Sequence, residues 1–146
     1  SANEMLKVVD DNFEYSDISI FTAAVADYMP SSVAKDKIKK TDDNLSISLV
    51  KTTDILFEMA LRKSENQFVV GFALETENEL ENAKAKLSSK NIDMIVLNSL
   101  NNKGAGFNQN TNQITIIDNQ KNITNFELKD KSEVAKDIMS KVLELI

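Results

Sequence analysis

The apolar positions of this 146-residue chain alternate between strand-like runs and helix-like periodicities. Ser1-Ala2-Asn3-Glu4 has the S-x-x-E form of a capping box, and Met5, Leu6, Val9 and Phe13 follow at helical spacing, so the chain opens with a helix. Residues 18–26 are apolar or small almost throughout and end in Asp27, which predicts a strand buried on both faces. A turn through Tyr28-Met29-Pro30 then leads into the lysine-dense segment Lys35-Asp36-Lys37-Ile38-Lys39-Lys40. The stretch between Pro30 and Leu45 has no clear periodicity, and loops of this length usually act as lids or linkers, so poor order is expected there without a ligand.

Leu45, Ile47 and Leu49 alternate with Ser46, Ser48 and Val50, the pattern of a half-buried strand. Lys51-Thr52-Thr53-Asp54 leads into Ile55, Leu56, Met59 and Ala60 at helical spacing, with Thr52 or Thr53 as the expected cap. Residues 67–74 form another buried strand. Thr76 and Glu79 then supply a second capping box for a helix running to about Lys90, with Leu80, Ala83 and Leu87 inward. A third buried strand covers residues 92–97, a polar loop holds Gly104-Ala105-Gly106-Phe107, and residues 114–118 turn through Asn119-Gln120-Lys121-Asn122 to return by Phe126 and Leu128. The last helix starts near Asp130 and packs Val134, Ile138, Val142 and Leu145. Strands alternating with amphipathic helices predict an α/β fold: a Rossmann-like three-layer sandwich with a mostly parallel central sheet plus a late antiparallel hairpin.

Composition narrows the chemistry. With 42% hydrophobic and 27% charged residues the chain fits one soluble domain, and no apolar run approaches the ~20 residues of a membrane span. The absence of cysteine removes disulfides and thiolate zinc sites and suits the cytoplasm, and no secretory leader opens the chain at Ser1. A helix feeding directly into the first strand is unusual for an α/β domain, so an upstream strand is expected to belong to the same domain, with these residues truncated at its N-terminus. With neither histidine nor cysteine there is no His base or Cys nucleophile, and any metal is held by oxygen. The net charge of -6 argues against a general nucleic-acid surface, the basic cluster at residues 35–40 being local.

Three places stand out. Asp27 closes a core strand, where open parallel sheets place their ligand crevice, although an acid there also serves as a plain turn former. The helix start at Thr53-Asp54 offers free N–H groups and a positive dipole end to an anion, or simply an ordinary cap. Lys86 and Lys90 share one helix face at i and i+4, where they can meet a phosphate chain or complement the macrodipole.

Taken together, Ala23-Ala24-Val25-Ala26-Asp27-Tyr28-Met29-Pro30 with Lys37-Ile38-Lys39-Lys40, then Thr53-Asp54-Ile55-Leu56, then Val70-Gly71-Phe72-Ala73-Leu74-Glu75-Thr76 resemble phosphopantothenate-cysteine ligase, the synthetase half of the bifunctional coenzyme A biosynthesis flavoprotein. The likeness extends through residues 90–98 and the Gly106-Phe107 loop. It implies a two-step ligation: 4'-phosphopantothenate attacks the α-phosphate of CTP, giving an acyl-cytidylate and pyrophosphate, and the cysteine amine then displaces CMP, with Mg2+ assisting. It further implies that Lys37 is the catalytic lid lysine and that Ala23, Asp27, Lys37, Thr53, Asp54, Ile55, Leu56, Phe72, Lys86 and Lys90 surround the nucleotide. Such chemistry needs positioning and positive charge more than covalent participation, so it tolerates the absence of histidine and cysteine.

The resemblance also implies a homodimer, with the lysine-rich loop and following strand as an arm. No flavin is expected on these residues. The family's Gly-rich turn and its asparagine fall before Ser1, so CTP binding by the 146 residues alone is expected to be partial and catalysis weak or absent. Two other functions suit the same pattern: a Rossmann-like nucleotide domain of an oxidoreductase, which lacks its glycine fingerprint here, and a noncatalytic dimerisation module with residues 45–50 as an exposed edge.

Overall fold

The computed structural model describes residues 1–39, 45–99 and 109–146. Lys40 and the loop containing Gly104-Ala105-Gly106-Phe107 lie outside the described residues. In order, the elements are α1 (Ala2–Phe13), β1 (Ile18–Phe21), β2 (Tyr28–Pro30), β3 (Leu49–Lys51), α2 (Ile55–Arg62), β4 (Phe68–Glu75) and α3 (Glu79–Ser89). They are followed by β5 (Met94–Ser99), β6 (Thr111–Asn112), β7 (Ile114–Asp118), β8 (Ile123–Asn125), β9 (Lys129–Asp130) and α4 (Lys131–Leu145).

A five-stranded sheet in the order β1-β4-β5-β7-β8 forms the middle layer. β1, β4 and β5 are parallel, with Ile20 opposite Val70 and Gly71 opposite Ile95; β7 and β8 add the expected antiparallel hairpin. Alternation along each strand sends side chains to two separate cores. Val69 and Ala73 of β4, Ile95 and Leu97 of β5 and Ile117 of β7 meet Phe13 of α1, Met59 of α2 and Leu87 of α3 on one face. Val70, Met94, Val96, Ile114 and Ile116 meet Val134, Ile138 and Val142 of α4 on the other. This is the three-layer α/β architecture predicted by the pattern. No helix among the described residues is long and apolar enough to cross a membrane.

The opening capping box forms between Ser1 and Glu4, and Met5, Leu6 and Val9 pack on the core. Other local expectations are corrected. The first strand stops at Phe21 instead of reaching Ala26: its pairing with β4 ends at Gly71, and beyond that point the chain leaves the sheet. Tyr28-Met29-Pro30 is a strand, not a turn, and pairs antiparallel with β3. The alternating run at residues 45–50 contributes only its last two residues to that pair, and its apolar members Leu45, Ile47 and Leu49 stay exposed. Asp54, not Thr52 or Thr53, caps α2, its side chain accepting from Phe57 N–H at 3.1 Å. Asn78, in the left-handed region at φ 46°, is the N-cap residue of α3 in place of the expected Thr76.

Gly71 permits the closest approach of α2 to the sheet. A Cβ there would lie 2.8 Å from both Leu56 Cδ2 and Ile92 Cδ1.

Candidate functional site

Beyond Phe21 the chain leaves the sheet and runs alongside the segment that enters α2. Thr52 joins the two: its N–H donates to the Asp27 carbonyl at 2.8 Å, and its hydroxyl donates to the Ala26 carbonyl. Between them opens a cavity of about 470 Å³. Its walls include Phe21, Ala23, Val25 and Asp27 from the exit of β1, Lys51 from β3, Thr52, Thr53, Asp54, Ile55 and Leu56 at the start of α2, Phe72 of β4 and Lys90 after α3. Met5, Phe57 and Glu58 complete it. A groove of similar size between α1 and β1 is lined by Met5, Val8, Val9, Asn12, Phe13, Ser16, Ser19, Ile20, Phe21, Thr22 and Ala23 and carries no titratable side chain. Of these two, only the first brings titratable side chains together.

Asp54 is the electrostatic junction of this site. One carboxylate oxygen caps α2 and the other accepts from Lys90 Nζ at 2.8 Å, tying the end of α3 to the start of α2. Partial burial raises its pKa, but the Lys90 hydrogen bond, the Phe57 N–H and the charges of Lys90 and Lys51 outweigh that, and the carboxyl is held below its ordinary value. The Ile55 and Leu56 N–H groups have no carbonyl four residues back within the helix, so this end of α2 presents its positive pole at the cavity wall.

Of the positions singled out from the sequence, Ala23, Asp27, Thr53, Asp54, Ile55, Leu56, Phe72 and Lys90 line this one cavity. Two do not. Lys86 is paired with Glu75 at 2.6 Å, and Glu75 also accepts from Asn82 at 3.2 Å, so a carboxylate at the end of β4 fixes this lysine on α3. Lys37 is exposed on the excursion between β2 and β3, outside the lining.

Sequence reasoning missed Lys51, which was treated only as the lead-in to a helix, and gave Thr52 no role beyond a possible cap. The signal available was their position between an alternating run and a helix start, where both ends of a crossover meet. The acids Glu58 and Glu75 carried no such signal, because their neighbours become known only once the sheet is assembled.

Residues 1–146 match the family model described as DNA/pantothenate metabolism flavoprotein C-terminal domain. A "Cysteine/Cysteine sulfinic acid decarboxylase" from an unknown prokaryotic organism is 51% identical over 146 residues, covering 100% of this chain and 41% of that protein. The "Coenzyme A biosynthesis bifunctional protein CoaBC" of Bacillus subtilis (strain 168) is 39% identical over 145 residues, covering 99% of this chain and 36% of that protein. Among solved structures, the C-terminal domain of Coenzyme A biosynthesis bifunctional protein CoaBC superposes with a TM-score of 0.77 at 35% identity, covering 99% of this chain and 64% of that one. The chain thus spans well under half the length of these two curated relatives.

Proposed function

The chain belongs to the DNA/pantothenate metabolism flavoprotein C-terminal domain family, and on that premise we propose that its cavity binds CTP for the ligation of 4'-phosphopantothenate to cysteine in coenzyme A biosynthesis. A pantothenate carboxylate oxygen forms a bond to the α-phosphorus of CTP while the bond to pyrophosphate breaks. The cysteine nitrogen then attacks the activated carbonyl carbon, and CMP leaves with the electron pair. The observation that carries this assignment is the convergence of Asp27, the α2 start, Phe72 and Lys90 on one cavity from four separate parts of the chain.

The lining supports a division of labour. Phe21, Val25, Leu56 and Phe72 offer an apolar surface to a base, while Lys90, Lys51 and the N–H groups of α2 face charge. Against these two lysines stand Asp27, Asp54 and Glu58. A bare triphosphate suits such a balance poorly, whereas the magnesium complex suits it well. Magnesium usually keeps most of its ligands from water and phosphate, with one or two carboxylates. The described residues contain no group of three His, Cys, Asp or Glu side chains able to hold a metal by themselves, so the ion is assigned to the substrate and Asp27 or Asp54 to its outer contacts. Lys37 then supplies positive charge at the reacting carbonyl as its loop closes and excludes water from the acyl-cytidylate. Flavin has no part in this chemistry.

Calorimetric titration of the chain with CTP, ATP and NAD in magnesium buffer tests the assignment. CTP is expected to bind and NAD not to; heat from NAD alone would sink it and favour the oxidoreductase domain. The more similar relative favours a second possibility, that the whole protein decarboxylates cysteine or its sulfinic acid. Carbon dioxide released from cysteine by the whole protein, without CTP or phosphopantothenate, distinguishes that activity from ligation.

A further inference from the structure

Lys51 is the last residue of β3, held opposite Tyr28 of β2, and it lines the cavity next to Thr52 and Asp54. The cavity's other lysine, Lys90, is committed to a 2.8 Å ion pair with Asp54. Lys51 makes no ion pair and no side-chain hydrogen bond among the described residues. It is therefore the lining cation that can meet an incoming anion without first giving up a partner.

Resting on the nucleotide assignment above, we propose that Lys51 is an anion-contacting residue of the cavity, reaching the phosphate chain from β3 while Lys90 approaches from the end of α3. Its backbone is well placed for this. Strand pairing with Tyr28 on one side and the Thr52 bonds to Ala26 and Asp27 on the other fix the base of the side chain, leaving only the flexible stem to adjust. Its charge already acts on the Asp54 carboxylate at the helix start. An ammonium in this place also offsets the acidic excess of the lining, which a polyphosphate would otherwise meet on entry.

The test titrates the unmodified chain, Lys51→Gln and Lys51→Arg with CTP in magnesium, at several salt concentrations, and with inorganic tripolyphosphate in parallel. Lys51→Gln is expected to bind both ligands about tenfold more weakly, the size expected of one charge-assisted contact at a partly exposed site, with a shallower salt dependence. Lys51→Arg should bind nearly as the unmodified chain does, and the melting temperatures of all three should agree. Unchanged affinity in Lys51→Gln overturns the proposal, and so does a loss of affinity that follows a loss of melting temperature. The tripolyphosphate arm separates the two assignments. Lys51-dependent binding of tripolyphosphate without any binding of CTP would sink the nucleotide assignment and leave this one standing, and binding of neither would sink both.

Discussion

Asp54 combines a helix cap, an ion pair and a place in the cavity wall within one carboxylate, and the first two roles separate by substitution. Asparagine caps as well as aspartate does, so Asp54→Asn removes chiefly the pairing with Lys90, while Asp54→Ala removes both and should cost about a further 1 kcal/mol. The folded protein depresses this carboxyl, so the associated stabilisation is fully present above the ordinary aspartate value of about 3.9 and is lost as pH falls through the lower folded value. Thermal melts should show Asp54→Asn below the unmodified chain at pH 7, with the gap closing toward pH 3. A gap that stays constant across that range would mean that the charge contributes nothing. The sequence marked this residue as part of a helix start and through the family resemblance, but not as the cap itself. Its capping role went to Thr52 or Thr53 because serine, threonine and aspartate caps rank closely, and a hydrophobic phase does not fix a helix start to one residue.

At the scale of elements, the helices and central strands were legible because their apolar spacing is long and consistent, as in α4 with Val134, Ile138 and Val142. What the pattern did not contain was the extent of each strand's partner. Residues 22–26 are apolar or small like the four before them, but the β1–β4 pairing ends at Phe21 and Gly71 although β4 itself continues to Glu75, and the departing chain borders the cavity instead. At Gly71 the tips of Leu56 and Ile92 occupy the space a side chain would need. Gly71→Ala would place a methyl group against Leu56 and Ile92, and overpacking of this kind costs about 1–3 kcal/mol. A urea midpoint lowered by that energy divided by the denaturant slope is expected, together with weaker CTP binding because Leu56 is part of the cavity wall. An unchanged midpoint would show that both side chains move aside freely.

For the molecule as a whole, the parallel strands β1 and β4 border the cavity, and the antiparallel pair β7 and β8 extends the sheet beyond β5. Among the described residues, several apolar side chains stay uncovered on and around the β2–β3 pair, including Tyr28 at 58%, Val33 at 86%, Leu45 at 68% and Ile47 at 61% exposure. Uncovered surface of this kind marks an association site, and a homodimer through this arm is the assembly we propose. Sedimentation over a range of concentrations should show mass shifting from monomer to dimer, and Ile47→Lys should return it to monomer. A monomer at every concentration would argue against the arm as an interface. The sequence showed the alternation at residues 45–50 but not its lack of cover, since alternation describes one face of a strand and says nothing of what lies over it.

The pairing of β2 with β3 has one more consequence. Ser31 N–H donates to the Ser48 carbonyl at 2.9 Å, so the chain departs and comes back at a single closed neck, and the described residues beyond it, 32–39 and 45–47, form an appendage with respect to the cavity floor. Lys37 rides on that appendage, whereas Lys51 and Thr52 stand below the neck. Grafting the intervening residues from a relative, or replacing them with a short linker, should therefore leave standing the vessel built by the residues below the neck.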